Sequence, residues 1–245
     1  AGFGNVSIDL IHGIPDQSLA GWRDGLRLAL ALEPDHVSLY ALQLALVPDE
    51  WAATPRAGAL RWRRRMAARQ DDALAADQYR LAEEVLDGAG FRHYELSSWA
   101  RPGFESRHNG AYWDRRAYTG VGAGAHSYDG AARRSWNRRD LDAYLADVEA
   151  GRSPQGGFED LDGPTREFEA VALGLRRTDG LRRQAFAAEF GADPAARYGA
   201  EIATGVKSGL LELGEEHLRL SAKGRLLASE ALLPFVPEPA TAGAA

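Results

Sequence analysis

The sequence reads as an α/β protein: a parallel βα sheet followed by a smaller, mostly helical, winged-helix-like domain. Two observations predict this. Residues 5–41 run strand, helix, strand, the βαβ unit that normally builds a parallel sheet. Residues 164–233 run through several helices and end in two short apolar stretches around a polar turn, the pattern of helices closed by a hairpin wing.

Composition sets the outer limits. The chain has 245 residues, 45% hydrophobic and 26% charged, ordinary for a globular protein of one or two domains. A net charge of −6 gives no global basic field for nucleic acid. The local run from Arg61 to Arg65 reads as a solvated face, ahead of a contact with an acidic lipid surface or a partner. No apolar run reaches the roughly 20 residues that span a bilayer. There is no signal-peptide pattern, and the chain opens Ala-Gly-Phe-Gly rather than with Met. It contains no cysteine, which excludes disulfides and any iron–sulfur cluster ligated by cysteines of this chain.

Residues 5–11 form the first strand, with Val6, Ile8 and Leu10 on one face and Ser7 and Asp9 on the other. Gly13 and Pro15 turn the chain. Ser18 caps a helix whose Leu19, Trp22, Leu26 and Leu30 recur at helical spacing. Residues 36–41 form the second strand, with Ser38 and Tyr40 on the same side as Asp9. An inward carboxylate is costly unless hydrogen-bonded or wet. Asp9 therefore marks either a ligand-filled lumen or an ion or hydrogen bond to a neighbouring strand.

Residues 46–51 and 54–55 read as loop. Residues 71–89 form a helix with Leu74, Leu81, Val85 and Ala89 inside and Gly90 at its end. Residues 91–97 read as a strand, and Trp99 to Gly103 as a turn. Residues 140–149 are helical, and Gly151 to Gly163 is a linker candidate. The domain limits that follow are 1–150, 164–233 and a disordered tail at 234–245. In the second domain, helices fall at 166–177, 185–190, 195–208 and 221–233, with Phe168, Val171 and Leu175 on one face of the first. Strands fall at 209–212 and 218–220.

The chemistry concentrates near the middle of the chain, within the first domain, in Arg107-His108-Asn109-Gly110-Ala111-Tyr112-Trp113. It supplies an imidazole, a carboxamide, a phenol and an indole. Imidazole is a common axial ligand of heme iron, and flat rings suit a flat macrocycle. A packed loop His beside aromatics is the competing reading. The glycine run from Tyr118 to Tyr128 does not have dinucleotide-loop spacing; close backbone approach to a flat ligand, or tight packing, explains it better. His126 within it is a second imidazole near any ligand, or a satisfied structural His.

His-Asn-x-x-Tyr-Trp at residues 108–113, followed by Tyr-x-Gly-x-Gly-x-x-Ala-His-Ser-Tyr at 118–128, resembles the signature of the HemW family. These are heme chaperones related to oxygen-independent coproporphyrinogen III oxidases of the radical S-adenosylmethionine (SAM) superfamily. Val6 to Pro15 with Ser38-Leu39-Tyr40 resembles a late βαβ unit of that family's barrel, with His12 in place of the usual Tyr and Ser106 in place of a common Cys. The resemblance runs from about Asn5 to Leu233. It implies an incomplete radical SAM (β/α) partial barrel lacking its N-terminal half, supplied by a longer protein or a partner chain. It further implies heme contact by His108, Asn109, Tyr112, Trp113 and His126, with His108 on the iron, and a SAM site sharing Asp9 and the backbone of Ala41. The family's 4Fe-4S cluster has no ligand in this chain, so no catalytic residue is assigned. The implied partners are heme, heme-accepting membrane proteins and a second copy of the chain, without nucleic acid. The implied location is the cytoplasm, peripheral to the inner membrane. Part of a coproporphyrinogen oxidase and a cofactor-free winged-helix scaffold are the alternatives.

Overall fold

A computed structural model describes residues 2–44 and 57–238. The chain divides into two compact units, Ala1–Glu105 and Ser106–Ala245. The expected loop at 46–51 and 54–55 and the end of the tail, residues 239–245, lie outside the described residues.

The first unit is built on a four-stranded sheet. Strand β1 (Ser7–His12) pairs in parallel with β2 (His36–Ala41) across helix α1 (Leu19–Leu30), as the βαβ reading requires. Ser18 caps α1, its Oγ accepting from the Gly21 N–H at 3.1 Å. Trp22, Leu26 and Ala29 form the buried stripe of α1, whereas Leu19 lies at the exposed first turn. Helix α2 (Ala57–Ala67) carries the arginine run: Arg61, Arg64 and Arg65 are exposed, and Arg63 Nε donates to the Leu44 carbonyl at 2.6 Å. Helix α3 (Asp72–Gly88) buries Gln78, Tyr79, Leu81, Ala82 and Leu86. Leu74, Val85 and Ala89 are only half-buried, because the buried face is turned toward Tyr79 and Ala82.

The expected single strand at 91–97 is instead a hairpin of β3 (Arg92–Glu95) and β4 (Ser98–Ala100), and the sheet order is β1-β2-β4-β3. Trp99 is the reason. Placed in a turn it would expose its indole; in β4 it pairs opposite Val37 and is 1% exposed. Deleting such a ring from a packed core costs roughly 3–5 kcal/mol. A register shift between His93 and Glu95 takes up the odd residue. Around Trp99 lies an aromatic cluster: His93 stacks on it at 4.1 Å, Tyr79 meets it edge-on at 5.7 Å, and His12 sits 6.0 Å from Tyr79 and 6.3 Å from Trp22.

The second unit begins with helix α4 (Arg107–Trp113) and an antiparallel sheet in which β6 (Arg133–Asn137) lies between β5 (His126–Tyr128) and β7 (Gln155–Asp160). Strand β7 occupies the stretch read as a linker. Its glycines allow contact rather than freedom: a Cβ at Gly157 would stand 2.7 Å from the Trp136 ring. Helix α5 (Leu141–Glu149) is capped by Asp140 and α6 (Gly163–Gly174) by Asp162. Strand β8 (Leu181–Arg182), helix α7 (Arg183–Phe190), α8 (Pro194–Arg197) and α9 (Gly199–Lys207) follow. The expected continuous helix at 195–208 is broken at Tyr198, φ −124°. Strands β9 (Leu211–Leu213) and β10 (His217–Leu220) make the expected hairpin, and β8 adds to its other edge. Helices α10 (Ala222–Leu226) and α11 (Ala228–Leu232) divide the last expected helix at Leu227. The packed chain continues past 233: a 3-10 turn at Leu233–Phe235 leaves Phe235 2% exposed, 5.3 Å from the Tyr198 ring. Val171, Leu175, Phe186, Ile202, Leu211 and Leu218 form the core of this unit.

Candidate ligand site

The Arg107–Trp113 segment is a helix, not the packed loop of the competing reading. Ser106 starts it: its Oγ accepts from the Asn109 N–H at 3.2 Å. The residue in the common Cys position is thus an N-cap. His108 and Tyr112 fall one turn apart on one face, rings 5.0 Å apart and perpendicular. Tyr112 in turn meets Tyr118 edge-on at 4.7 Å, and Tyr118 lies 6.2 Å from Tyr128. His108 is exposed, and Asn109 is half-buried.

Tyr112, Trp113, Tyr118, His126 and Tyr128 wall a cavity of about 470 Å³, with Arg115, Arg134, Glu159, Glu169 and Leu173 completing it. Pockets for small molecules and cofactors run from roughly 300 to 1,000 Å³. Three of the five expected heme residues, Tyr112, Trp113 and His126, therefore share one cavity. Neither His108 nor Asn109 is among the lining residues; the His108 ring lies 5.0 Å from that of Tyr112, which is. Trp113 Nε1 is buried without a hydrogen-bond partner, while the Arg176 guanidinium lies 4.3 Å from the indole centre.

The glycine run serves packing. A Cβ at Gly120 would fall 2.2 Å from the His126 carbonyl oxygen. That closeness lets Tyr118 and Tyr128 exchange two backbone hydrogen bonds of 2.9 Å. Asn137 Nδ2 fastens the run by donating to the Gly122 carbonyl at 2.9 Å. The imidazole of His126 is exposed, 5.9 Å from the Trp136 ring.

The polar residues of the cavity were not singled out in the sequence. Arg134 donates to Glu169 at 2.7 Å and to Glu159 at 3.1 Å, and Arg115 makes a bidentate pair with Glu189. The Arg115 hydrogen bond holds the Glu189 carboxyl below its ordinary range, and burial raises the Tyr128 phenol. The only sequence trace of these pairs is the alternation of Arg133 and Arg134 with Glu159 and Asp160 on facing strands, which requires the β6–β7 register to be read.

Asp9 and Ala41 belong to the first unit. Asp9 is exposed on edge strand β1, paired opposite Ser38 and on the same face as Ser7 and His36. His36 is a hub there: Nδ1 lies 2.9 Å from Ser7 Oγ and Nε2 2.7 Å from the Tyr94 hydroxyl. Burial lowers its pKa, opposed by the charges of Asp9 and Glu95. Ala41 pairs opposite His12, so its side chain is on the other face and only its backbone can serve a site with Asp9.

The HemN C-terminal domain family model matches residues 161–227. A heme chaperone HemW of Mycobacterium tuberculosis (strain CDC 1551 / Oshkosh) is 39% identical over 231 residues, covering 93% of this chain and 54% of the relative. The heme chaperone HemW of Bacillus subtilis (strain 168) is 28% identical over 237 residues, 97% of this chain and 60% of the relative. Among solved structures, coproporphyrinogen III oxidase (HemN) from Escherichia coli, titled a radical SAM enzyme, aligns with a TM-score of 0.72 at 20% identity, over 96% of this chain and 55% of that one. The fold is therefore that of the HemN-like α/β proteins with a helical C-terminal domain. Within that class the chain is similar to heme chaperones of the HemW family over most of its own length. It spans about half the length of the first of these curated relatives. Among the described residues no helix is long and apolar enough to cross a membrane.

Proposed function

We propose that this chain is the heme-holding part of a HemW-type heme chaperone, with His108 as axial ligand and the face of the macrocycle against Tyr112 and Trp113. The observation that carries the reading is the placement of an exposed imidazole one helical turn from Tyr112, the ring that walls the aromatic cavity. The residues fit the group: an exposed imidazole beside a cavity of cofactor size walled by five rings. His126 is the second imidazole and lies within the cavity wall. Bound heme supplies the cargo; the chain's residues hold, orient and shield it.

The chain offers no thiolate, so a 4Fe-4S cluster does not fit its own residues, and no SAM cleavage is assigned to it. Asp9 with the Ala41 backbone is our candidate for a SAM ribose contact, supported by the carboxylate's exposure on the polar sheet face. A chaperone requires an acceptor, and heme-accepting membrane proteins, met from the cytoplasmic side, are the partners we assign.

The test is a ferric heme titration followed by absorbance. The native chain should shift the Soret band, His108→Ala should abolish or change the shift, and His126→Ala should matter less. Identical spectra for the native chain and His108→Ala would remove His108 from the iron.

A further inference from the structure

The aromatic cavity also carries charge, in Arg115, Arg134, Glu159 and Glu169 of its lining. Arg134 is shared by two carboxylates that differ in kind. Glu169, from α6, holds one Nη at 2.7 Å and has a side chain 20% exposed. Glu159, from the facing strand β7, holds the other Nη at 3.1 Å and is 48% exposed. Glu169 is thus an anchor, and Glu159 is a weak, half-solvated partner that water can replace.

We propose that Arg134 reads a carboxylate on the ligand's edge, and that Glu159 occupies the same guanidinium Nη when the ligand is absent. The ligand class is a flat apolar ring system bearing free carboxylate side chains, which for heme are its propionates. This rests on the heme reading above and adds the recognition of the acid groups. The exchange conserves charge. One carboxylate leaves the guanidinium for water as another arrives, so no cation is left buried and unpaired. Arginine suits the role, because its planar fork keeps Glu169 on one Nη while the other changes partner. Arg115, the other cation of the wall, is held in both arms by Glu189, so Arg134 is the better placed of the two to exchange.

The experiment uses the whole chain and two probes, ferric heme and its dimethyl ester, titrated by absorbance. The native chain should bind the free acid about tenfold more tightly than the ester, the scale of one charge-assisted hydrogen bond. Arg134→Gln should weaken the acid by about the same factor and abolish the preference. Glu159→Gln, which keeps the side chain's shape and removes its charge, should tighten the acid several-fold and the ester by much less. Equal binding of acid and ester by the native chain, with a spectrum that still depends on His108, would overturn the carboxylate role while leaving the heme site standing. An unchanged acid affinity in Glu159→Gln would overturn the exchange even if Arg134→Gln failed to fold. No spectral response to either probe would remove both readings together.

Discussion

The two units are held together by different chemistry. The first buries neutral rings: Trp22, Tyr79, Trp99 and the imidazole of His12 lie in one cluster, and His36 is enclosed on the opposite sheet face. The second is laced with arginine–carboxylate pairs: Arg115 with Glu189, Arg197 with Glu167, Arg138 and Arg152 with Asp147, Arg183 with Asp193. The aromatic cavity lies in the second kind of setting. Tyr128 is buried, but Tyr112, Trp113 and Tyr118 are half-buried and His126 is exposed among these ion pairs, which leaves them available to a ligand. A neutral core gives stability without accessible chemistry; a surface of paired charges gives accessible chemistry whose partners can be exchanged.

The largest effect that would sharpen this contrast is removal of Trp99. Trp99→Ala should destabilise the first unit by about 3–5 kcal/mol, the cost of deleting a fully buried indole. If the cavity belongs to the second unit alone, protein that remains folded should keep its heme spectrum. Chemical denaturation together with the heme titration checks this. A loss of heme response in folded Trp99→Ala protein would break the separation.

The second difference is in pH. Burial lowers the pKa of His12 and of His36 below the ordinary 6.5. In the window between the folded value and 6.5 the unfolded chain binds more protons, so stability rises with pH. Their contribution is full above 6.5 and is lost as pH falls toward the folded values. In the second unit, hydrogen bonds from arginine hold Glu167, Glu189 and Asp193 below their ordinary range. Those contributions persist until pH falls below about 4.5, the ordinary Glu value. Hydrogen exchange, corrected for intrinsic rates, should therefore accelerate at pH 5.5 relative to pH 7.5 in residues of β1, β2 and α3 before it does so in α6 and α7. Acceleration in the reverse order would contradict the assignment.

Much of this was legible in the sequence. Period-2 and period-3.6 patterns located β1, α1 and β2, and the register confirms that Asp9 and Ser38 share a face. The segment at 107–113 singles out Tyr112 and Trp113 as rings for a flat ligand, and both line the aromatic cavity. The failures have physical causes. Residues 91–100 carry strand-forming rings at Phe91, Tyr94 and Trp99, with no Gly, Pro, Asn or Asp to mark Leu96-Ser97 as the turn; the burial of Trp99 decides it. Gly156-Gly157 looked like linker composition, but small residues are equally what a strand beside the Trp136 indole requires. Arg134 was invisible because its partners, Glu159 and Glu169, are 25 and 35 residues away. Charge pairing at that range is set by register.

The smallest expected effect tests how far the site depends on local structure. Helix α4 has only seven residues, too few to be stable alone. The N–H groups at the start of a helix have no intrahelical carbonyl to satisfy them. Ser106 Oγ takes one of them, from Asn109. Ser106→Ala should cost about 1 kcal/mol, the usual value of an N-cap. The loss falls on the turn that sets His108 and Tyr112 on one face, so heme affinity should drop several-fold with global stability little changed. Ser106→Thr keeps the hydroxyl and should restore most of it. A cysteine here would be a poor cap, since sulfur accepts hydrogen bonds weakly; Ser106→Cys should therefore resemble the alanine variant rather than the threonine one. Equal heme affinity across all four proteins would mean that α4 is positioned by its aromatic contacts alone, and that the cap contributes nothing to the site.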